Sequence, residues 1–141
     1  MSNLLITIIA IALVAIAALA AIFYGGGAFN EGQNKAKAVT LINQREQIKA
    51  ASSLYQARQG GVPVSSIEEL KAQNYLSVDP TLDNASWHIE GGVVVIPLAG
   101  MDDAEAEDIC QKAWEEAGNT GTVEIPPCGE TTSEHICCSK E

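Results

Sequence analysis

The sequence predicts an α+β fold: a long N-terminal α-helix, broken near Gly25–Gly27, followed by a small C-terminal head built on an antiparallel β-sheet. Three observations carry this expectation. Residues 1 to 30 contain no Asp, Glu, Lys, Arg or His, and Leu4 to Phe23 is an almost unbroken aliphatic run. The next stretch keeps a helical period but turns amphipathic. Two short alternating runs further on are joined by Gly91-Gly92, a hairpin signature.

The apolar run of ~20 residues spans about 30 Å as a helix, the thickness of a bilayer core. It has no basic residue ahead of it, and it is longer than the apolar region of a cleaved signal. The competing expectations are a signal removed near Ala17–Ala21, a permanent single-span anchor, and a helix held in the membrane only until it packs into an assembly. The Ala at positions 10, 12, 15, 17, 18, 20 and 21 favours close helix–helix approach in lipid. Gly25, Gly26 and Gly27 each cost a helix about 1 kcal/mol against Ala, so a local break is expected there.

The domain expectation is residues 1–59 for the helix and 60–141 for the head. The helix divides into an apolar half (1–24), a glycine break (25–32) and an amphipathic half (33–59). In that last half Ala38, Leu41, Ile48, Ala51 and Tyr55 fall on one stripe, with Lys37, Gln44, Gln47 and Arg58 on the opposite face. Gly60-Gly61 and Pro63 stop it. Ser66 to Glu69 reads as a capping box opening a second helix, docked by Ile67 and Leu70 with Tyr75 or Leu76, and Asp79-Pro80 marks a turn. Ser86–Glu90 and Val93–Pro97 are the hairpin strands. Asp102-Asp103 caps a third helix from about Asp103 to Ala117, with Ile109, Cys110, Ala113 and Trp114 inward and Gly118 ending it. Thr122–Ile125 reads as a strand, and Ile136–Ser139 as a short edge strand.

In this order of elements the chain resembles the type IV pilins of the b class, the toxin-coregulated, bundle-forming and conjugative thin-pilus kind. The likeness runs over nearly the whole chain. Gly32 to Ser77 resembles that family's helix, connecting loop and short second helix, and Gly100 to Gly118 its Cys-bearing helix. The resemblance implies a homopolymer: a helical filament with bundled N-terminal helices as its core and the heads outside. The implied packing residues are Met1, Leu4, Leu5, Ile8, Ile9, Ile11, Leu13, Ile16, Leu19, Phe23 and Tyr24. It implies no enzymatic centre and no cofactor. It implies contact with a pilus assembly machinery, and residence in the inner membrane before export to the bacterial surface. A short basic leader ending in Gly precedes residue 1 in that family and is not seen ahead of Met1 here, which leaves two expectations: Met1 is the processed N-terminus, or the chain is not processed in the family's usual way. Leu5 stands where the family usually has a Glu that meets a neighbour's amine; Ser2 and Asn3 are weaker acceptors for it. The alternatives are a minor or tip pilin, or a single-span protein with an acidic extracytoplasmic binding head.

The resemblance also implies a disulfide from Cys110 to the C-terminal region, its partner one of Cys128, Cys137 or Cys138. A bond between neighbours Cys137 and Cys138 is strained, which leaves Cys110–Cys137 with Cys128–Cys138, or Cys110–Cys138 with Cys128–Cys137. Four cysteines favour the oxidising side of a membrane and outweigh Lys35, Lys37 and Arg45, which would favour the cytoplasm. Cys128, His135, Cys137 and Cys138 are also soft metal donors, but their spacing matches no zinc pattern.

Little else carries chemistry. His88 lies in a predicted strand and His135 in a loop, with no nucleophile elbow or phosphate loop near either. Asp102, Asp103, Glu105, Glu107 and Asp108 read as a helix N-terminus with a solvated face. Asn84-Ala85-Ser86 matches a glycosylation sequon. A net charge of −10 opposes direct nucleic-acid binding, which needs a basic patch.

Overall fold

The computed structural model describes residues 2–98, 101–132 and 134–139. The order of elements is α+β, as the sequence predicts. Helix α1 (Ser2–Arg58) is followed by α2 (Ile67–Ala72), strands β1 (Thr81–Leu82), β2 (Ala85–Ser86), β3 (His88–Glu90) and β4 (Val93–Pro97), helix α3 (Asp103–Glu116) and strand β5 (Cys137–Cys138). Two compact units emerge, Met1–Gln33 and Asn34–Glu141. The second takes in the amphipathic half of α1 together with residues 60–141.

The expected break at Gly25, Gly26 and Gly27 is absent: α1 is one helix of 57 residues that runs through them. Helix cooperativity explains the continuity. Three glycines disfavour helix by about 3 kcal/mol. A melted gap would require a second nucleation beyond it, and a nucleation constant near 10⁻³ corresponds to about 4 kcal/mol. Propagation through the glycines is the cheaper course.

The predicted stripe is the spine of the second unit. Ala38, Leu41, Ile48, Ala51 and Tyr55 are all buried. They pack with Ile67 and Leu70 of α2, Trp87, Val94 and Ile96 near the sheet, and Ile109 and Ala113 of α3. Each large side chain removed from water here contributes about 1.5–3 kcal/mol. Gln44, expected on the opposite face, instead flanks the stripe. Its Oε1 accepts from Trp87 Nε1 at 2.8 Å and its Nε2 donates to the Thr81 carbonyl at 3.0 Å. The buried indole needs such a partner.

Helix α1 ends in a turn where the Gly61 N–H donates to the Gln56 carbonyl at 2.8 Å. The cap of α2 is as predicted, with the Glu69 N–H donating to Ser66 Oγ at 3.2 Å. The Glu69 carboxylate reaches one residue further back than a capping box requires, accepting from the Ser65 N–H and hydroxyl and from the Tyr55 hydroxyl. Asp102 occupies the N-cap position of α3 but makes no side-chain cap bond.

The β3–β4 hairpin turns on Gly91 (φ 58) and Gly92 (φ 87), the pair of positive φ angles that a two-residue hairpin turn needs. Ser86, expected in the same strand, pairs instead with Thr81 in a separate two-stranded β1–β2 hairpin. The three-stranded sheet has the order β3-β4-β5 and is mixed: β5 runs parallel to β4. The route through α3 is a crossover, which a parallel neighbour requires. Thr122–Ile125 is not a strand. Gln111 holds this segment, accepting from the Val123 N–H at 2.8 Å and donating to the Gly121 carbonyl at 2.9 Å. A few residues later Pro127 forms an isolated parallel bridge with Ser139, just past β5, where the Ser139 N–H donates to the Pro126 carbonyl and the Cys128 N–H to the Ser139 carbonyl.

Candidate functional site

Among the described residues the first unit is a helical surface. Its large apolar side chains from Leu4 to Tyr24 are exposed, between 51% at Ile9 and 88% at Tyr24. All of the predicted packing residues Leu4, Leu5, Ile8, Ile9, Ile11, Leu13, Ile16, Leu19, Phe23 and Tyr24 belong to this set. Met1 lies outside the described residues. A helix apolar on every face is buried in its working environment, in lipid or against other helices. The run is long and apolar enough to cross a membrane. A Cβ added at Gly25, Gly26 or Gly27 meets no atom within 4 Å, so nothing within this chain requires glycine there.

The second unit is stapled by two disulfides, Cys110–Cys137 and Cys128–Cys138, one of the two frameworks that avoid a bond between neighbours. Successive residues of a strand face opposite sides, so β5 sends Cys137 to α3 and Cys138 to the Cys128 loop. The Cys110–Cys137 bond closes a separation of 27 residues, a constraint worth about 3 kcal/mol. Both bonds consume thiolates that a metal would need. Nor does His135 turn to those sulfurs: its Nδ1 accepts from the Thr132 N–H at 3.1 Å. Glu90, beside Cys128 and Cys138, accepts from the Gly129 N–H at 2.8 Å.

Charge in this unit is strongly segregated. Residues 34–58 carry Lys35, Lys37, Arg45, Lys49 and Arg58 against Glu46, while every other acidic residue of the 18 except Glu31 lies beyond Arg58. The acidic run of α3 is two faces rather than one solvated surface. Glu105, Asp108 and Glu116 face α1. Lys37 Nζ lies 2.7 Å from Glu105 and 3.0 Å from Asp83, and Lys35 lies 2.9 Å from Glu116. Asn34 Nδ2 donates to Asp108 at 2.7 Å, and Lys112 donates to the same carboxylate. The Lys112 and Asn34 bonds hold the Asp108 carboxyl below its ordinary range. Glu105 and then Asp83 raise the Lys37 ammonium. Burial lowers Arg45, which donates to the His135 carbonyl at 3.1 Å. The Tyr55 hydroxyl, ahead of the Ser65 bonds, holds Glu69 down.

Asp103 and Glu107, four residues apart on the other face of α3, line an open cavity of about 670 Å³ together with Glu124. Leu98, Val123, Ile125 and Cys138 are its apolar lining. The i, i+4 spacing of Asp103 and Glu107 is visible in the sequence. Glu124 is not predictable as their neighbour, because it arrives on an irregular segment. A second cluster unforeseen in the sequence lies at the end of α1, where Arg58 sits 5.8 Å from the Tyr75 ring centre and Tyr75 meets Tyr55 edge to face.

No protein-family model, curated protein or solved structure matches this chain.

Proposed function

We propose that the chain is a structural subunit that polymerises through bundled N-terminal helices into an extracellular filament of the type IV pilus kind. The observation that carries this is α1 itself: one helix whose uncharged apolar surface is exposed all round, and whose amphipathic continuation is sealed into a disulfide-stapled head. Bare apolar surface on this scale demands a cover. The alanines and glycines along it admit close backbone approach by other helices, which a lone anchor does not use. The b-class pilin resemblance names the assembly that uses such a helix, with the inner membrane as its store. Residence on the oxidising side agrees with the two disulfides.

The test is electron microscopy of filaments sheared from cells that make the protein, with mass spectrometry of the subunit for its N-terminus and disulfides. Filaments composed mainly of this chain support a major subunit. Its presence only in trace amounts in filaments of another chain supports a minor or tip subunit. Extraction solely as a detergent-soluble monomer, with no sedimentable polymer, overturns the proposal in favour of a membrane-anchored acidic head.

A further inference from the structure

Three carboxylates lining the α3 cavity meet no cation among the described residues. Glu105, Asp108 and Glu116 of the same helix are matched by Lys37, Lys112 and Lys35, but Asp103, Glu107 and Glu124 have no ion pair or hydrogen-bonded partner among the described residues. Leu98, Val123 and Ile125 give the same cavity an apolar lining. A cavity of this make takes a cation on an apolar stem: the stem lies on Leu98, Val123 and Ile125, and the charged head meets the carboxylates.

The complementary group is on the same chain. Lys35, Lys37 and Lys49 are engaged by carboxylates of their own subunit, and Arg45 by the His135 carbonyl. Arg58 has no carboxylate among the described residues; it rests over the Tyr75 ring, exposed, in the last turn of α1. Leu54 and Val62 beside it in sequence are more than half exposed. An exposed guanidinium held on an aromatic face with apolar neighbours is a pre-formed anchor. It cannot enter its own cavity. Lys37, which ties α1 to Glu105 of α3, lies about six turns before Arg58, roughly 30 Å away along the helix.

We infer that the Asp103–Glu107–Glu124 cavity of one copy receives Arg58, with Leu54 and Val62, of a second copy. Two different patches then meet, so the contact is heterologous and propagates into an open polymer instead of closing a pair. For parallel copies it staggers neighbours by about 30 Å along α1. The inference rests on the filament proposal and adds a specific head-to-head contact to its helix bundle.

A charge exchange in the full-length chain, in the cell that makes it, tests the contact. Arg58→Glu and Glu124→Arg are each expected to lower filament yield about tenfold or more, as breaking a close interfacial charge pair does, and the combined variant to recover most of it. Glu124 suits the exchange because it lies outside α3 and has no ion-pair partner among the described residues. Disulfide mapping verifies that each variant folds. Wild-type yield from either single variant, or no recovery on combining folded variants, overturns the contact. Independently, a photo-crosslinking residue at position 124 of the otherwise unchanged chain is expected to capture residues 54–62 of another copy; capture elsewhere, or none, overturns it. Filaments without this crosslink leave the filament proposal standing and remove the contact. The crosslink without filaments does the reverse.

Discussion

Leu19 and Leu41 are the same side chain on the same helix, yet Leu19 is 57% exposed and Leu41 is wholly buried. The backbone treats them alike; what differs is the company each keeps. Around Leu41 the helix has polar flanks, and one apolar stripe suffices to bind α2, the sheet and α3. Around Leu19 there is no polar flank at all, so no single face is marked for burial. One half of α1 carries the instructions for a fold, and the other half carries a requirement for surroundings.

Substitutions confined to one half of α1 or its partners separate folding from membrane residence. Ile109→Ala removes a fully buried side chain of the head and should lower head stability by about 2–5 kcal/mol, read by urea unfolding of the detergent-solubilised chain through Trp fluorescence. Membrane retention should not change. If it does, the halves are coupled. Ile11→Asp should reverse the pattern. It opposes insertion by about 2.5–3.5 kcal/mol, seen as carbonate-extractable protein, while the urea midpoint of the head stays put. Replacing Gly25, Gly26 and Gly27 together by Ala tests the passage between the halves. Open space for each Cβ means that about 3 kcal/mol of helix propensity is recovered. Amide exchange around those positions should slow by up to about a hundredfold, with head unfolding unchanged.

The smallest expected effect is electrostatic. Asp108 titrates lower in the fold than its ordinary 3.8, held by Lys112 and then Asn34. Its contribution is complete above pH 3.8 and is lost as pH falls through the lowered folded value. Half-exposed pairs of this sort contribute up to about 1 kcal/mol. Asp108→Asn should therefore lower the urea midpoint slightly at neutral pH and flatten its decline below pH 4, as found by repeating the titration at pH 7 and pH 3. An unchanged acid slope would assign that slope to other carboxylates.

Local patterns carried most of the fold into the sequence. The five-residue stripe of α1, the Ser66 cap and the Gly91-Gly92 turn each depend on residues a few positions apart, and each is found where the spacing puts it. Misreadings arose where distant partners or cooperativity decide. Thr122–Ile125 has a strand-like composition, but Gln111 of α3 holds the segment as irregular chain. The parallel direction of β5 follows from the crossover through α3, which no local pattern announces. Three glycines look like a break when counted singly and are carried by the helix on both sides. Of the α3 cavity only the Asp103–Glu107 spacing was legible; Glu124 joins them through tertiary structure alone.

The pairing of Cys137 with α3 and Cys138 with Cys128 has a mechanical consequence. Strand β5 is only two residues long, and under load its few hydrogen bonds would part first. A pull travelling from α1 through α3 need not rely on them. At Cys110 it crosses directly to Cys137, passes to the adjacent Cys138 and crosses again to Cys128. The intervening segments hang as closed loops that cannot be drawn out. A head tethered by its helix and tugged at its surface would yield by peeling away from α1 before its C-terminal region lengthened.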